Sequence, residues 1–150
     1  MNIAFTISGK NYLSFALTLA DSIKKTDPNL PFFILLVDDA NGVDQVFFEK
    51  YNILLASEIG IESYQSMAFK YNVTEFSTAV KPFFIDYLFT QKSADKIIYL
   101  DPDIYVYQSL NAIYAMLENA QVIITPHFLT METDYTGNNP ETEFLFSGIY

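Results

Sequence analysis

The chain has 150 residues, enough for one domain with a sizeable core, and 51% of them are hydrophobic. Its net charge is −10 and all eight basic residues are lysine, so bidentate arginine clamps on phosphate are excluded and a nucleic-acid partner is disfavoured. Cysteine is absent, which excludes disulfides and thiolate metal sites and suits a cytoplasmic protein.

The 14 Phe and 11 Tyr argue against disorder over most of the length. No apolar run approaches the roughly 18 residues needed to span a bilayer, so no transmembrane segment is expected. The N-terminus lacks a basic region, and the polar Ser8–Asn11 interrupts its apolar character, so it does not read as a signal peptide. An acidic protein of this kind would need a metal ion to bring a polyanion close.

In chain order, Asn2 to Ile7 reads as a first strand and Ser8 to Asn11 as a polar turn. Tyr12 to Lys25 reads as a helix, with Leu13, Ala16, Leu17 and Ala20 on one face, and Asp27-Pro28 stops it. Pro31 to Val37 is a nearly continuous apolar run, hence a second buried strand, and it ends in Asp38-Asp39. A helix is expected from about Val43 to Lys50, then a short strand at Ile53 to Ala56 and a weakly patterned segment.

Thr74 to Gln91 has a helical pattern that must absorb Pro82, as a kink or as the first turn of a second helix. Lys96 to Leu100 is a β-branched and aromatic run, a third long buried strand, and Asp101-Pro102-Asp103 follows it. Ser109 is placed to cap a helix carrying Leu110, Ile113, Tyr114 and Leu117 on one face. Gln121 to Thr125 reads as another strand, Met131 to Glu143 as a loop, and Phe144 to Tyr150 as the start of a further ordered segment. Alternating strands and helices, with strands apolar on both faces, predict an α/β fold: a Rossmann-like, mostly parallel sheet with helices on both faces. There is no internal repeat and no linker.

In open α/β sheets ligands bind beyond the carboxyl ends of the strands, which is where Asp101 and Asp103 fall. Two hard oxygen ligands there suit Mn²⁺ or Mg²⁺ held against a diphosphate. The bland alternative is a turn whose aspartates accept backbone hydrogen bonds. Asp38 and Asp39 end a strand expected to open on the same edge, and they serve either a nucleotide's ribose or base, or the cap of the next helix. Backbone N–H groups of the Ser8–Tyr12 loop, with Tyr12 stacking on a base, offer a nucleotide contact; the alternative is an ordinary turn. Lys81 reaches either a phosphate or sugar hydroxyl, or snorkels to solvent. His127 reads as a loop residue. The spacing assembles no nucleophile–histidine–acid set and no glycine-rich phosphate loop.

Three segments resemble a known pattern. "IAFTISGKNYLSFALTLADSI", "STAVKPFFIDYLF" and "DKIIYLDPDIYVYQSL" are together similar to the N-terminal, nucleotide-binding half of a GT-A-fold glycosyltransferase of family 8, the group of glycogenin and bacterial lipopolysaccharide glycosyltransferases. The resemblance implies a metal-dependent transferase that moves a sugar from a nucleotide-diphosphate sugar, UDP-linked in this family, to an unidentified glycan, lipid or protein acceptor. It places Tyr12 on the uracil, Lys81 at the donor sugar, and Asp101 and Asp103 at the donor on Mn²⁺ or Mg²⁺; the reading of the residues themselves adds Ile7, Ser8, Asp38 and Asp39 to the donor site. The third metal ligand of that family, usually a His, comes from farther on, and His127 does not match it. The resemblance also implies that residues 1–150 are the donor-binding part of a catalytic domain that continues past Tyr150. Two rivals of other classes are a catalytically inert nucleotide-binding module and a receiver-like signalling domain, whose paired acids should follow the first strand rather than the second.

Overall fold

The computed structural model describes residues 1–125. His127 and the predicted segments 131–143 and 144–150 lie outside the described residues.

The apolar runs form four parallel strands: β1 (Asn2–Ser8), β2 (Phe32–Leu36), β3 (Ile53–Leu55) and β4 (Lys96–Tyr99), in the spatial order β3-β2-β1-β4. Parallel strands need long crossovers, and helices supply them. Helix α1 (Leu13–Thr26) joins β1 to β2, and α2 (Gln45–Tyr51) joins β2 to β3. Helices α3 (Tyr64–Lys70) and α4 (Val73–Gln91) carry the chain to β4, and α5 (Asn111–Met116) follows. The expected α/β class with a parallel sheet is therefore the observed one.

Strand alternation divides the core into two layers. Ala4, Ile34, Leu36 and Ile98 pack with Leu13, Ala16, Leu19 and Ile23 of α1. Ile3, Phe5, Ile7, Leu35 and Val37 pack on the other face against Phe76, Val80, Phe84 and Leu88, a stripe at every fourth residue of α4. Phe5 is fully buried at the middle of the second layer. Its ring meets Phe84 edge-on, with centroids 5.3 Å apart.

The strand order carries the main functional consequence. From β1 the chain winds outward through β2 to β3, then returns to place β4 on the opposite side of β1. The direction of winding reverses between β1 and β4, and the crevice at the carboxyl ends of those two strands is the switch point where open α/β sheets bind ligands.

Several boundaries differ from the sequence reading. The Ser8–Asn11 turn tightens into a single 3-10 turn, Lys10–Tyr12, before α1 begins at Leu13. Helix α4 starts at Val73 and runs through Pro82 as one element, with the proline exposed on its outer side. Asn72 begins it with a reciprocal capping box: its side chain accepts from the Glu75 N–H, and Glu75 accepts from the Asn72 N–H. Helix α3 lies in the segment that the pattern left unassigned. None of its residues is buried, and Phe69 points outward at 95% exposure, so no apolar stripe announces it.

The strand expected at Gln121 to Thr125 does not form. Those residues are exposed, pair with no strand among the described residues, and have Val122 and Ile124 facing outward. Ser109 accepts from the Asn111 N–H as a cap would, but Leu110 is the residue that precedes α5. The Leu110 N–H is held at 2.7 Å by the Asp27 carboxylate, from the residue that ends α1. One aspartate thus closes one helix and anchors the start of another.

Candidate functional site

Two groups of side chains gather on the carboxyl edge of the sheet. The first follows β1 and β2. The Ser8 carbonyl accepts from the Val37 N–H at 3.1 Å, so the two chains leave the sheet side by side. The Asp38 carboxylate then accepts from the Lys10 N–H. The Lys10 ammonium lies 2.8 Å from Asp39, which also accepts from the Asn41 N–H at 2.8 Å. These hydrogen bonds to Asp39, that from Lys10 foremost, hold its carboxyl below the usual carboxylate range.

The paired aspartates therefore lace the two loops together. They do not cap α2, whose start is held instead by Asp44, accepting from the Val46 N–H. Gly9 sits at the crossing. A methyl group there would lie 2.9 Å from Asn11 Oδ1, 3.2 Å from Asp38 Oδ2 and 3.3 Å from a methyl of Val73 at the start of α4. A larger residue would oblige the Asn11 side chain to turn away and the Asp38 and Val73 side chains to give slightly.

Ile7 and Ser8 are buried, and the Ser8 hydroxyl is taken up by the Gly9 carbonyl at 2.9 Å. Their side chains frame the loop rather than line its open surface. Tyr12 does face outward: it is 47% exposed and lies beside the equally open Phe15, with ring centroids 5.4 Å apart. An exposed aromatic pair beside a sheet-edge crevice is a ready stacking platform. From the far side, Tyr64 of α3 comes under the field of Asp38 and Asp39. Burial chiefly, and those two carboxylates after it, raise its hydroxyl above the ordinary tyrosine range.

The second group follows β4. The backbone turns tightly through Asp101-Pro102-Asp103, closed by the Ile104 N–H donating to the Asp101 carbonyl at 3.2 Å. Both aspartate side chains are exposed. Tyr99, the last residue of β4, donates its hydroxyl to Asp101 Oδ1 at 2.7 Å. Its ring rests on Phe5, with centroids 5.2 Å apart. Lys81 reaches across from α4 and places its ammonium 3.7 Å from the Tyr99 ring centroid, a cation–π contact. Burial pulls the Lys81 pKa down, and the Asp101 carboxylate partly offsets this. Burial, and then the hydrogen bond to Asp101, make the Tyr99 hydroxyl very hard to ionise, with Asp101 and Asp103 both adding to the effect.

The candidate residues named from the sequence thus divide into Asp38, Asp39 and Tyr12 on one side of the switch point and Lys81, Asp101 and Asp103 on the other. Three participants were not named. Tyr99 was legible in principle, since strand alternation puts it on the same side as Asp101 two residues later. Lys10 and Tyr64 were not, because they join the group through loops whose path no local pattern specifies.

The chemistry of the donor set fits a hard divalent ion. Asp101 keeps one oxygen free of Tyr99, and Asp103 adds a second carboxylate. No group of three or more His, Cys, Asp or Glu gathers among the described residues. Two protein ligands leave most of the coordination shell to phosphate oxygens and water, the usual arrangement for Mg²⁺ at a nucleotide. Four carboxylates and two lysines share this edge, so an approaching diphosphate meets a negative surface unless a cation accompanies it.

The sequence matches no protein-family model and no curated protein sequence. Among solved structures, the chain is similar to the galactosyltransferase LgtC in complex with donor and acceptor sugar analogs. The identity is 21% and the TM-score 0.48, over 76% of this chain and 42% of that one. An active-site mutant of LgtC aligns at the same identity and TM-score, over 76% of this chain and 41% of that one. The chain therefore spans less than half the length of these structures.

Proposed function

We propose that this chain is the donor-binding part of a metal-dependent glycosyltransferase that uses a nucleotide-diphosphate sugar, with a UDP-sugar as the donor the sequence resemblance implies. The observation that carries the reading is the meeting, at one topological switch point, of an aromatic-bearing loop after β1 and an aspartate pair after β4. The acceptor, a glycan, lipid or protein, is left open. No helix among the described residues is long and apolar enough to cross a membrane.

In this reading Tyr12 stacks on the base, and Asp38 and Asp39 fix the nucleoside loop through Lys10. Ile7 and Ser8 hold the strand end from which that loop leaves. The free Asp101 oxygen and Asp103 would hold Mn²⁺ or Mg²⁺ against the two phosphates. A divalent ion bound there supplies neutralisation of the diphosphate and Lewis-acid stabilisation of the nucleoside diphosphate as it leaves. Lys81 lies beside Asp101 with its charge partly desolvated, where it can steady a donor phosphate or sugar hydroxyl without competing for the metal.

Incubation with a series of UDP-sugars and Mn²⁺, followed by assay of free UDP, tests this. Release of UDP from one sugar in preference to the rest, and only with the metal present, is expected. Donor that binds but is never cleaved, even by water, contradicts the transferase reading and leaves a nucleotide-binding module.

A further inference from the structure

We infer that Tyr99 is a positioning residue that sets the Asp101 carboxylate for the metal with its hydroxyl and holds Lys81 over the same site with its ring face. The inference rests on the donor site proposed above and deepens it.

The argument runs upward from the core. Phe5 is fully buried between Phe84 and Tyr99, so it gives the Tyr99 ring a fixed floor. With the ring fixed, the hydroxyl has one direction to point, and it meets Asp101 Oδ1 at 2.7 Å, the usual length for an O–H···O bond. An ionised carboxylate only accepts, so the tyrosine is the donor, and the bond is charge-assisted, roughly twice the strength of a neutral one. One Asp101 oxygen is thereby occupied and the side-chain rotation settled, which leaves the other oxygen as the metal-facing one. The opposite requirement, a cation held near the phosphates, is met by the face of the same ring, 3.7 Å from the Lys81 ammonium.

Partners that hydrogen-bond a metal's carboxylate ligands typically tune affinity by about 10- to 100-fold. A merely structural tyrosine would also pack here and give its hydroxyl to the nearest acceptor. The two roles separate by experiment. Tyr99→Phe deletes the hydroxyl and keeps the ring, its floor and its contact with Lys81.

Mn²⁺ titrated into the protein with UDP, followed by loss of the free-Mn²⁺ electron paramagnetic resonance signal beyond the loss that the same UDP causes without protein, reads the metal site without turnover. Tyr99→Phe is expected to melt within a few degrees of the wild type, the hydroxyl's bond to the exposed Asp101 being its only loss, to bind Mn²⁺ about tenfold more weakly, and to recover wild-type UDP affinity once Mn²⁺ is saturating. Tyr99→Leu, which also removes the ring under Lys81, is expected to leave UDP affinity weakened even at saturating Mn²⁺. Wild-type protein that binds Mn²⁺ with UDP while Tyr99→Phe binds it equally well overturns the inference and leaves the donor site standing. A Mn²⁺ loss in Tyr99→Phe that only tracks a lower melting temperature also overturns it. Wild-type protein that takes up no Mn²⁺ with UDP overturns the donor site itself, and the inference with it.

Discussion

Asp101→Asn is expected to abolish metal-dependent release of nucleoside diphosphate while leaving the fold intact. The substitution keeps the shape of the side chain and an oxygen that can still accept from the Tyr99 hydroxyl. It removes one of the two negative charges of the proposed metal site. Lewis-acid stabilisation by such an ion contributes several kcal/mol to the transition state, so its loss corresponds to a fall of at least about 10³-fold in rate. Because Asp101 is exposed, unfolding stability should change by less than about 0.5 kcal/mol. Rates of UDP release and a urea unfolding curve, measured on the same preparation, check both halves. A variant that retains its activity removes Asp101 from the site.

Phe5→Ala is expected to have the largest effect on stability. Phe5 has no solvent exposure, lies on the central strand pair, and joins the buried stripe of α4 to Tyr99. Truncation of a buried phenylalanine costs about 3–5 kcal/mol, from lost transfer energy and from the cavity left behind. Domains of this kind are stable by only about 5–15 kcal/mol, so the variant should unfold at a much lower urea concentration with its m-value unchanged. A cost below about 1 kcal/mol would mean that the α4 face collapses freely around the gap, and the fixed floor under Tyr99 would then be lost as an argument.

Much of the frame was legible because parallel strands buried on both faces leave continuous apolar runs. "FFILL" and "KIIY" could be placed to within two residues, and with them the aspartates that follow. The parallel sheet followed from the alternation of strands and helices. Its strand order did not, and it is that order which makes the β1–β4 crevice the switch point. Helix α3 escaped notice because it is only seven residues long and buries none of them fully; Tyr64 and Met67 alone lean on the core, too few to leave a periodic signature. The run at Gln121 to Thr125 misled for the converse reason: β-branched composition describes what a strand prefers, and pairing decides whether one forms.

The site shows the same division. Asp101, Asp103 and Lys81 could be named because each stands at a strand end or on a regular helix. The work done by Asp38 and Asp39 could not be told from spacing, since the deciding partner, Lys10, lies 28 residues from Asp38. Tyr99 went unnamed because aromatic residues in strands ordinarily serve the core, and its bond to Asp101 depends on the orientation of its hydroxyl.

The most direct test of the account is the melting temperature of the wild-type chain with a panel of nucleoside diphosphates, each with and without Mn²⁺. A ligand that binds only the folded state stabilises it by about 2.7 kcal/mol at one hundred times its dissociation constant, a shift readily measured. The account predicts a clear rise with one nucleoside diphosphate, UDP foremost, only when Mn²⁺ is also present. No rise with any nucleotide, or a rise indifferent to the metal, would contradict it.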